Sequence, residues 1–467
     1  MGAPPAQAQH YQADFPPEEF RARWNTVFDQ IGDQSVAILQ GGASTRGFEF
    51  PRQVNDFYYL SGIETAHAYL LLDGRTRKAT LFLPPRNERL ERAEGKVLNA
   101  SDAALVRRLT GVDAVRSLDD MRQGWIEGLA GPDRRATLTI YTPFRAQEGY
   151  AQSRGEVEMA NANAANDYWD GRIAREQQFV SLLRARVPRA EVRDLNPILD
   201  EMRSVKSPRE IDLIRKASVL AGRGMIEAMR STEPGVWEYQ LDAAARYVFL
   251  VNGARLDAYR SIVGSGTDNI NNMHYFRENR QMRAGELVLM DYAPDYRYYT
   301  SDIGRVWPVS GTYSPVQREL LQTVLQLRNE ALKRIRPGVT PAQILEELQA
   351  PMMRYIDGQR YSKPIYEAAA REMVRTGDGV FSHPVGLAVH DDGGYRDRPL
   401  RPGTVFSVDP TIRVPEENLY LRYEDVVVVT ATGVENFTDF LPSELADMEK
   451  LVRQKGIVQT LPAQALP

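Results

Sequence analysis

The sequence predicts two domains, an α/β domain over residues 15–200 followed by an α+β domain over residues 204–455 that carries an internal pseudo-twofold duplication. Three observations predict this. At 467 residues the chain exceeds one typical domain. Arg283-Ala284-Gly285-Glu286-Leu287-Val288-Leu289-Met290-Asp291 matches Arg401-Pro402-Gly403-Thr404-Val405-Phe406-Ser407-Val408-Asp409, each copy being Arg-x-Gly-x, an apolar run, then Asp. Two further landmarks, a helix start and a Pro-Gly-Val turn, recur in the same order upstream of both copies.

Met1 to Gln12 is rich in Ala, Pro and Gln and has no apolar stretch of the kind a secretory signal needs. It reads as a tail, or as what remains once a signal peptide has been cut away. In the first domain, Ser35–Gln40, Asp56–Leu60, Ala68–Leu72 and Ala79–Leu83 are short apolar or aromatic runs broken by Gly, Pro or Asp, and read as strands. Ala160–Arg186 lacks Pro, has Gly171 as its one glycine, and reads as helix.

A boundary falls near Ser204. Ser207-Pro208-Arg209-Glu210 is a helix start with an N-cap Ser, Pro at the first helical position and a Glu placed to close a capping box. That helix is expected to reach about Arg230. Ser314-Pro315-Val316-Gln317 repeats the start, and Pro234-Gly235-Val236 recurs as Pro337-Gly338-Val339. With the strand-ending aspartates, the landmarks are offset by 107, 103 and 118 residues. One such match is common; three in order point to a duplicated helix–helix–strand–strand unit. Two units would form a pseudo-twofold pair, with the strands in a curved sheet, the helices outside and a site where the halves meet.

The chemistry sits on the copied strands. Asp302 lies 11 residues after Asp291, beyond a Tyr-rich turn, and a hairpin there would bring the two together. Glu424 follows Asp409, and side-chain alternation puts Tyr420, Arg422 and Glu424 on one face, with Arg422 placed to hold Glu424 ionised. Between the copies stands His383, within Ser382-His383-Pro384-Val385-Gly386-Leu387-Ala388-Val389-His390. Crowded carboxylates repel one another unless a counter-charge is present. Two divalent cations about 3.5–4 Å apart would supply it, activate a water and polarise a carbonyl. A lone Asp after a strand is usually a turn residue or a cap, Glu424-Asp425 alone could be a solvated edge, and His390 could be a core histidine. Having five histidines in the whole chain, three of them in the duplicated half, tilts the balance to a site. His274, in Asn271-Asn272-Met273-His274-Tyr275, has no apolar periodicity around it and suits a cleft.

Composition narrows the rest. Net charge is −4, from 58 basic and 62 acidic residues with no basic block, so no nucleic acid is expected. With no cysteine, disulfides and thiolate sites are excluded, and any metal must be held by oxygen and imidazole ligands. No run of about 18 apolar residues occurs, so no membrane partner is expected.

At these residues the chain resembles the Xaa-Pro aminopeptidase and prolidase family, dinuclear metallopeptidases with the pita-bread fold. The resemblance covers nearly the whole chain. Phe48 to Gly62, above all Asp56-Phe57-Tyr58-Tyr59-Leu60-Ser61-Gly62, is similar to the family's N-terminal domain, and Arg203-Ser204-Val205-Lys206-Ser207-Pro208-Arg209-Glu210-Ile211 to its inter-domain helix start. The resemblance implies that Asp291 binds one metal, that Asp302 and Glu424 bridge both, and that His383 with Asp409 binds the other. It implies that His274 and His390 contact substrate, and that Arg422 belongs to the catalytic set. It also implies attack by a metal-bridging hydroxide, a pocket for proline, and manganese as the metal, with Co²⁺, Zn²⁺ or Fe²⁺ as alternatives. The expected substrate is a peptide with proline in second position, and the expected assembly a homodimer or homotetramer. A cytoplasmic location is expected, or a periplasmic or secreted one if a signal peptide has been removed.

One departure stands out. The family usually has Glu-Pro-Gly where this chain has Asp409-Pro410-Thr411. Asp is one methylene shorter, so it can hold a metal yet move a proton less well. An Xaa-Pro dipeptidase, a non-catalytic binding module on the same fold and a metal-free, creatinase-like hydrolase are the alternatives. The retained acidic and His positions weigh against the last two.

Overall fold

Strands β1 (Ser35–Gln40), β2 (Tyr69–Asp73), β3 (Lys78–Leu83), β4 (Ala114–Ser117), β5 (Thr139–Thr142) and β6 (Glu191–Asp194) form one mixed sheet in the order β4-β3-β2-β1-β5-β6. They belong to the first of two units, Met1–Met202 and Arg203–Pro467, in a computed structural model that describes residues 11–44, 51–129, 138–149 and 153–462. Met1–His10 of the N-terminal tail and Phe48–Phe50 of the quoted motif lie outside the described residues. Strand alternation puts Val36 and Ile38 on one face, where they pack with Leu71, Phe82 and Ile140. Phe179, Leu183 and Val187, four residues apart along and just past a helix, close that core.

Two expectations for this unit are corrected. Asp56–Leu60 is not a strand but lies in a helix, Asn55–Ser61, all seven residues of which are buried. A fully buried helix shows no polar face, so a short apolar run cannot be told from a strand by periodicity. What ends it is Gly62, at φ +62°, whose N–H bonds the Tyr58 carbonyl at 2.7 Å; a Cβ there would lie 2.7 Å from Phe20 Cζ. Ala160–Arg186 is not one helix but two, Arg154–Asn166 and Arg175–Arg186. Asp167 breaks it by accepting the N–H groups of Trp169 (2.8 Å) and Asp170 (3.0 Å), an alternative to helical bonding.

The second unit repeats itself. Helices Pro208–Arg230 and Glu238–Val251 lead into β7 (Leu256–Asp257), β8 (Ile262–Ser265), β9 (Leu287–Asp291), β10 (Pro294–Asp295) and β11 (Gly304–Pro308). Helices Pro315–Leu332 and Pro341–Asp357 then lead, through a further helix Pro364–Thr376, into β12 (Val405–Val408), β13 (Thr411–Val414), β14 (Leu419–Arg422), β15 (Asp425–Val429) and β16 (Val434–Asn436). Both expected capping boxes form, Ser207 with Glu210 and Ser314 with Gln317. The helix Pro364–Thr376 stands between the second helix and β12, where the first half has the five-residue helix Gly266–Ile270 before β9.

The single curved sheet is also corrected. Each half forms its own three-stranded antiparallel sheet, β11-β9-β8 and β12-β15-β16, with a two-stranded ribbon beside it, β10-β7 and β13-β14. The halves are stitched together in the middle. Glu424 donates its N–H to the Gly304 carbonyl (2.9 Å), and Arg305 of β11 pairs with Asp425 of β15 at 2.6 Å. Among the described residues no helix is long and apolar enough to cross a membrane.

Candidate metal centre

β9 delivers Asp291 at its last residue. The register Gly304↔Asp291 turns the chain back so that Asp302, just before β11, lies beside it. β12 ends one residue before Asp409, and its partner β15 begins one residue after Glu424. Both pairs therefore gather where the two halves join. Asp291, Asp302, Asp409, Arg422 and Glu424 are all buried. Ligand atoms of Asp291, Asp302 and Glu424 lie within 4.8 Å of one another, as do those of Asp302, His383 and His390.

His383 links the two groups. Its Nε2 faces Asp302 Oδ2 at 3.2 Å and Glu424 Oε1 at 3.9 Å. Its Nδ1 lies 3.1 Å from the Pro384 carbonyl oxygen, which can only accept, so the proton of a neutral ring is on Nδ1. Burial holds the ring well below the ordinary histidine range, and the neighbouring His390 adds to this. The Nε2 lone pair is thus aimed at carboxylate oxygens. The His390 ring stands 3.9 Å from that of His383, centroid to centroid, and its ligand atom lies within 4.8 Å of those of His383 and Asp302.

Arg422 is the guanidinium that meets the carboxylates. It pairs with Asp291 through Nη2, with Asp409 at 3.2 Å and with Glu424 at 3.6 Å. Arg422 does stand beside Glu424, and Asp291 and Asp409 are its nearer partners. Against four carboxylates it supplies one positive charge. Burial, then the charges of Glu424 and Asp291, push Asp302 well above the usual carboxylate range. Burial, then Asp409 and Asp291, do the same to Glu424. Asp409 is pushed up to about 7 by burial, against the pull of Arg422.

Tyr259 was not anticipated from sequence. Its hydroxyl donates to Asp291 and lies 2.7 Å from Asp302, spanning the pair. It stands in Asp257-Ala258-Tyr259-Arg260-Ser261, which has no counterpart in the second copy and no periodicity to mark it. Ser407 Oγ lies 3.4 Å from His383 Nε2; in sequence it reads only as part of the run ending in Asp409, where Leu289 stands in the first copy. His274 is exposed on the segment after Gly266–Ile270 and makes no hydrogen bond to the carboxylates among the described residues. Asp409 belongs to neither compact group. It lines a cavity of about 460 Å³ together with Phe381, Ser382, Thr411 and Tyr420.

The residues fit a pair of hard divalent cations. Buried oxygens Asp409 Oδ1 and Glu424 Oε2 have no hydrogen-bond partner, which is costly unless a cation meets them. A carboxylate-rich set with imidazole suits such ions. Asp425 is not part of it. Its carboxylate turns away to Arg305 and Arg328, each at 2.6 Å.

Residues 212–431 match Metallopeptidase family M24, and residues 20–139 match the Aminopeptidase P, N-terminal domain. The Xaa-Pro aminopeptidase of Escherichia coli is 31% identical over 458 residues, 93% of this chain and 97% of that protein. The mitochondrial intermediate cleaving peptidase 55 of Arabidopsis thaliana is 33% identical, covering 93% and 83%. The low-pH structure of Escherichia coli aminopeptidase P superimposes with a TM-score of 0.74 at 28% identity, over 94% of this chain and 99% of that one.

Proposed function

From the premise that this chain belongs to metallopeptidase family M24, with an aminopeptidase P N-terminal domain and the pita-bread catalytic fold, we propose that it releases the N-terminal residue from peptides with proline in second position. One observation carries the reading to this chain. Asp291, Asp302 and Glu424 converge in a buried group, with the His383 lone pair aimed at it and one guanidinium for balance. Asp291, Asp302, His383, Asp409 and Glu424 would hold two divalent cations, manganese first. When bound, such ions polarise a scissile carbonyl and lower the pKa of water at neutral pH.

The chain's own groups do the rest. Tyr259 and Arg422 hold Asp291 between them and keep its oxygens oriented. Pro384 fixes the His383 tautomer. Asp409, on the wall of the cavity with one unbonded oxygen, is the group to carry a proton from the attacking water to the departing amine. His390 and the exposed His274 take the substrate-contacting roles. A homodimer or homotetramer and a cytoplasmic location belong to the same proposal.

The test is an assay of the metal-stripped protein with and without Mn²⁺, comparing Xaa-Pro dipeptides, longer Xaa-Pro peptides and Xaa-Ala controls. Mn²⁺-dependent cleavage of the longer Xaa-Pro peptides is expected. Cleavage of dipeptides alone makes the protein a dipeptidase. No metal uptake and no hydrolysis of any peptide makes it a binding module.

A further inference from the structure

Behind the loop that carries His383 and His390 lies a second buried set of charges. Asp391 follows His390 directly, and its side chain is 1% exposed. Arg203 Nη2 bonds one carboxylate oxygen, and Lys206 Nζ stands 3.2 Å from the other. Both cations are buried as completely as their partner. Arg203 and Lys206 come from the short segment ahead of the helix Pro208–Arg230, some 185 residues before the loop they grip.

The loop is built around this grip. A Cβ on Gly386 would lie 2.1 Å from Asp391 Oδ2 and 3.0 Å from Lys206 Cε, so the missing side chain is the space the ion pair fills. The Asp391 N–H bonds the Pro384 carbonyl at 2.9 Å, and that oxygen is also the partner of His383 Nδ1 at 3.1 Å. Gly386 accepts from the N–H (2.9 Å) and hydroxyl (3.1 Å) of Thr300, two residues before Asp302. The gripping segment is anchored in turn. Lys206 N–H bonds the Gly403 carbonyl at 2.9 Å, and Arg401 bonds Ser204 at 2.6 Å, on the turn that leads into β12 and Asp409.

Burying three charges is a poor way to gain stability, since apolar residues of like volume often do as well. It is an effective way to pin a backbone. We propose that the Arg203–Asp391–Lys206 clamp is a positioning element that holds residues 383–391 in the conformation that turns the His383 Nε2 lone pair and the His390 ring toward the carboxylates. This rests on the reading of those carboxylates as the metal centre. The clamp touches neither substrate nor metal; it acts through the shared Pro384 carbonyl. Removing one charge from it frees the Asp391 N–H, loosens Pro384 and leaves His383 Nδ1 without a fixed acceptor. Groups that orient a metal-binding histidine from behind are worth about 10–100-fold in metal affinity or activity.

The experiment uses the full chain as Lys206→Met, Lys206→Arg and Asp391→Asn. Mn²⁺ affinity is measured by competition with a chelator. The His383 tautomer is read in the metal-free protein by ¹⁵N-histidine NMR, which needs neither metal nor substrate and has five histidines to resolve. The expected result for Lys206→Met is a Mn²⁺ affinity and a kcat each lower by about 10–100-fold, with KM little changed and the His383 signal a mixture of tautomers. Lys206→Arg should recover most of the affinity and the single Nδ1–H tautomer. The proposal is overturned if Lys206→Met, or Asp391→Asn, folds with wild-type Mn²⁺ affinity and an unchanged tautomer, whatever its melting temperature. If Asp391→Asn does not fold, the two Lys206 variants decide. If wild type binds no Mn²⁺, the metal reading fails separately, and the tautomer alone decides the clamp.

Discussion

Glu424 and Asp425 are adjacent in the chain and face opposite ways. Glu424 turns into the cluster with Asp291 and Asp302 and leaves Oε2 without a hydrogen bond. Asp425 turns into the protein, where Arg305, Arg328 and the Thr438 hydroxyl satisfy it. Alternation along a strand separates one acid for chemistry from one for stability. Glu424→Gln should then abolish metal-dependent turnover while leaving the metal-free fold intact. Asp425→Asn should cost about 3–5 kcal/mol, because it strands two buried arginines. Activity and thermal melting of both variants check this; a fully active Glu424→Gln would refute the assignment.

The metal-free protein should lose stability as pH rises from about 6.5 to about 8. Asp302, Glu424 and Asp409 have folded pKa values raised above their unfolded ones, Asp409 to about 7. Their contribution is therefore complete at pH below the unfolded carboxylate pKa and disappears as pH climbs through the folded value. His383, lowered by burial, works in the other direction only below its ordinary 6.5, so it does not cancel the effect in this window. Calorimetry in chelator should show a falling melting temperature, restored by Mn²⁺. A melting temperature that rises across the window would contradict the crowding of acids.

At the acid end the sign reverses. Asp425 is held down to about 2, burial being outweighed by Arg305 and Arg328. Its contribution is present above the unfolded carboxylate pKa and is lost as pH falls from about 4 toward 2. Asp425→Asn should flatten this part of the acid-denaturation curve, measured by circular dichroism against wild type.

His383→Ala should lose metal and turnover together, with the fold retained. His390→Ala should keep metal and lower kcat, as expected of a group that acts on substrate. Metal content and steady-state kinetics separate the two. Unfolding of His390→Ala at full metal occupancy would return His390 to a core role.

Asp409 allows a sharper test. A positioned general base contributes about 10²–10⁴-fold to rate, and a side chain one methylene short carries that function less well. Asp409→Glu should retain both metals and change kcat more than KM. Asp409→Asn should lower activity and occupancy alike. Wild-type kinetics and metal content in Asp409→Asn would remove it from the site.

Tyr259→Phe removes the hydroxyl that spans Asp291 and Asp302 without changing the ring. Leaving a buried acceptor short of its donor costs about 1–3 kcal/mol. The expected result is a lower melting temperature of the metal-free protein, read by calorimetry in chelator, together with weaker Mn²⁺ binding, read by chelator competition.

The sequence alone determined what depends on local pattern. The copied strands ending in Asp291 and Asp409, the capping boxes at Ser207 and Ser314, and the order of acids and histidines could all be read because neighbouring residues carry them. The tertiary structure alone decided what lies across from each residue. A seven-residue buried run at Asn55 could be strand or helix until its packing around Gly62 was known. Arg422 was visibly near an acid, but its grip on Asp291 joins residues 131 positions apart. Tyr259 reaches Asp291 and Asp302 over 32 and 43 residues, and Arg203 reaches Asp391 over 188. Periodicity says which way a side chain points within its own element. It carries no information on which distant element packs against that face, and that is where the orienting groups of this centre are found.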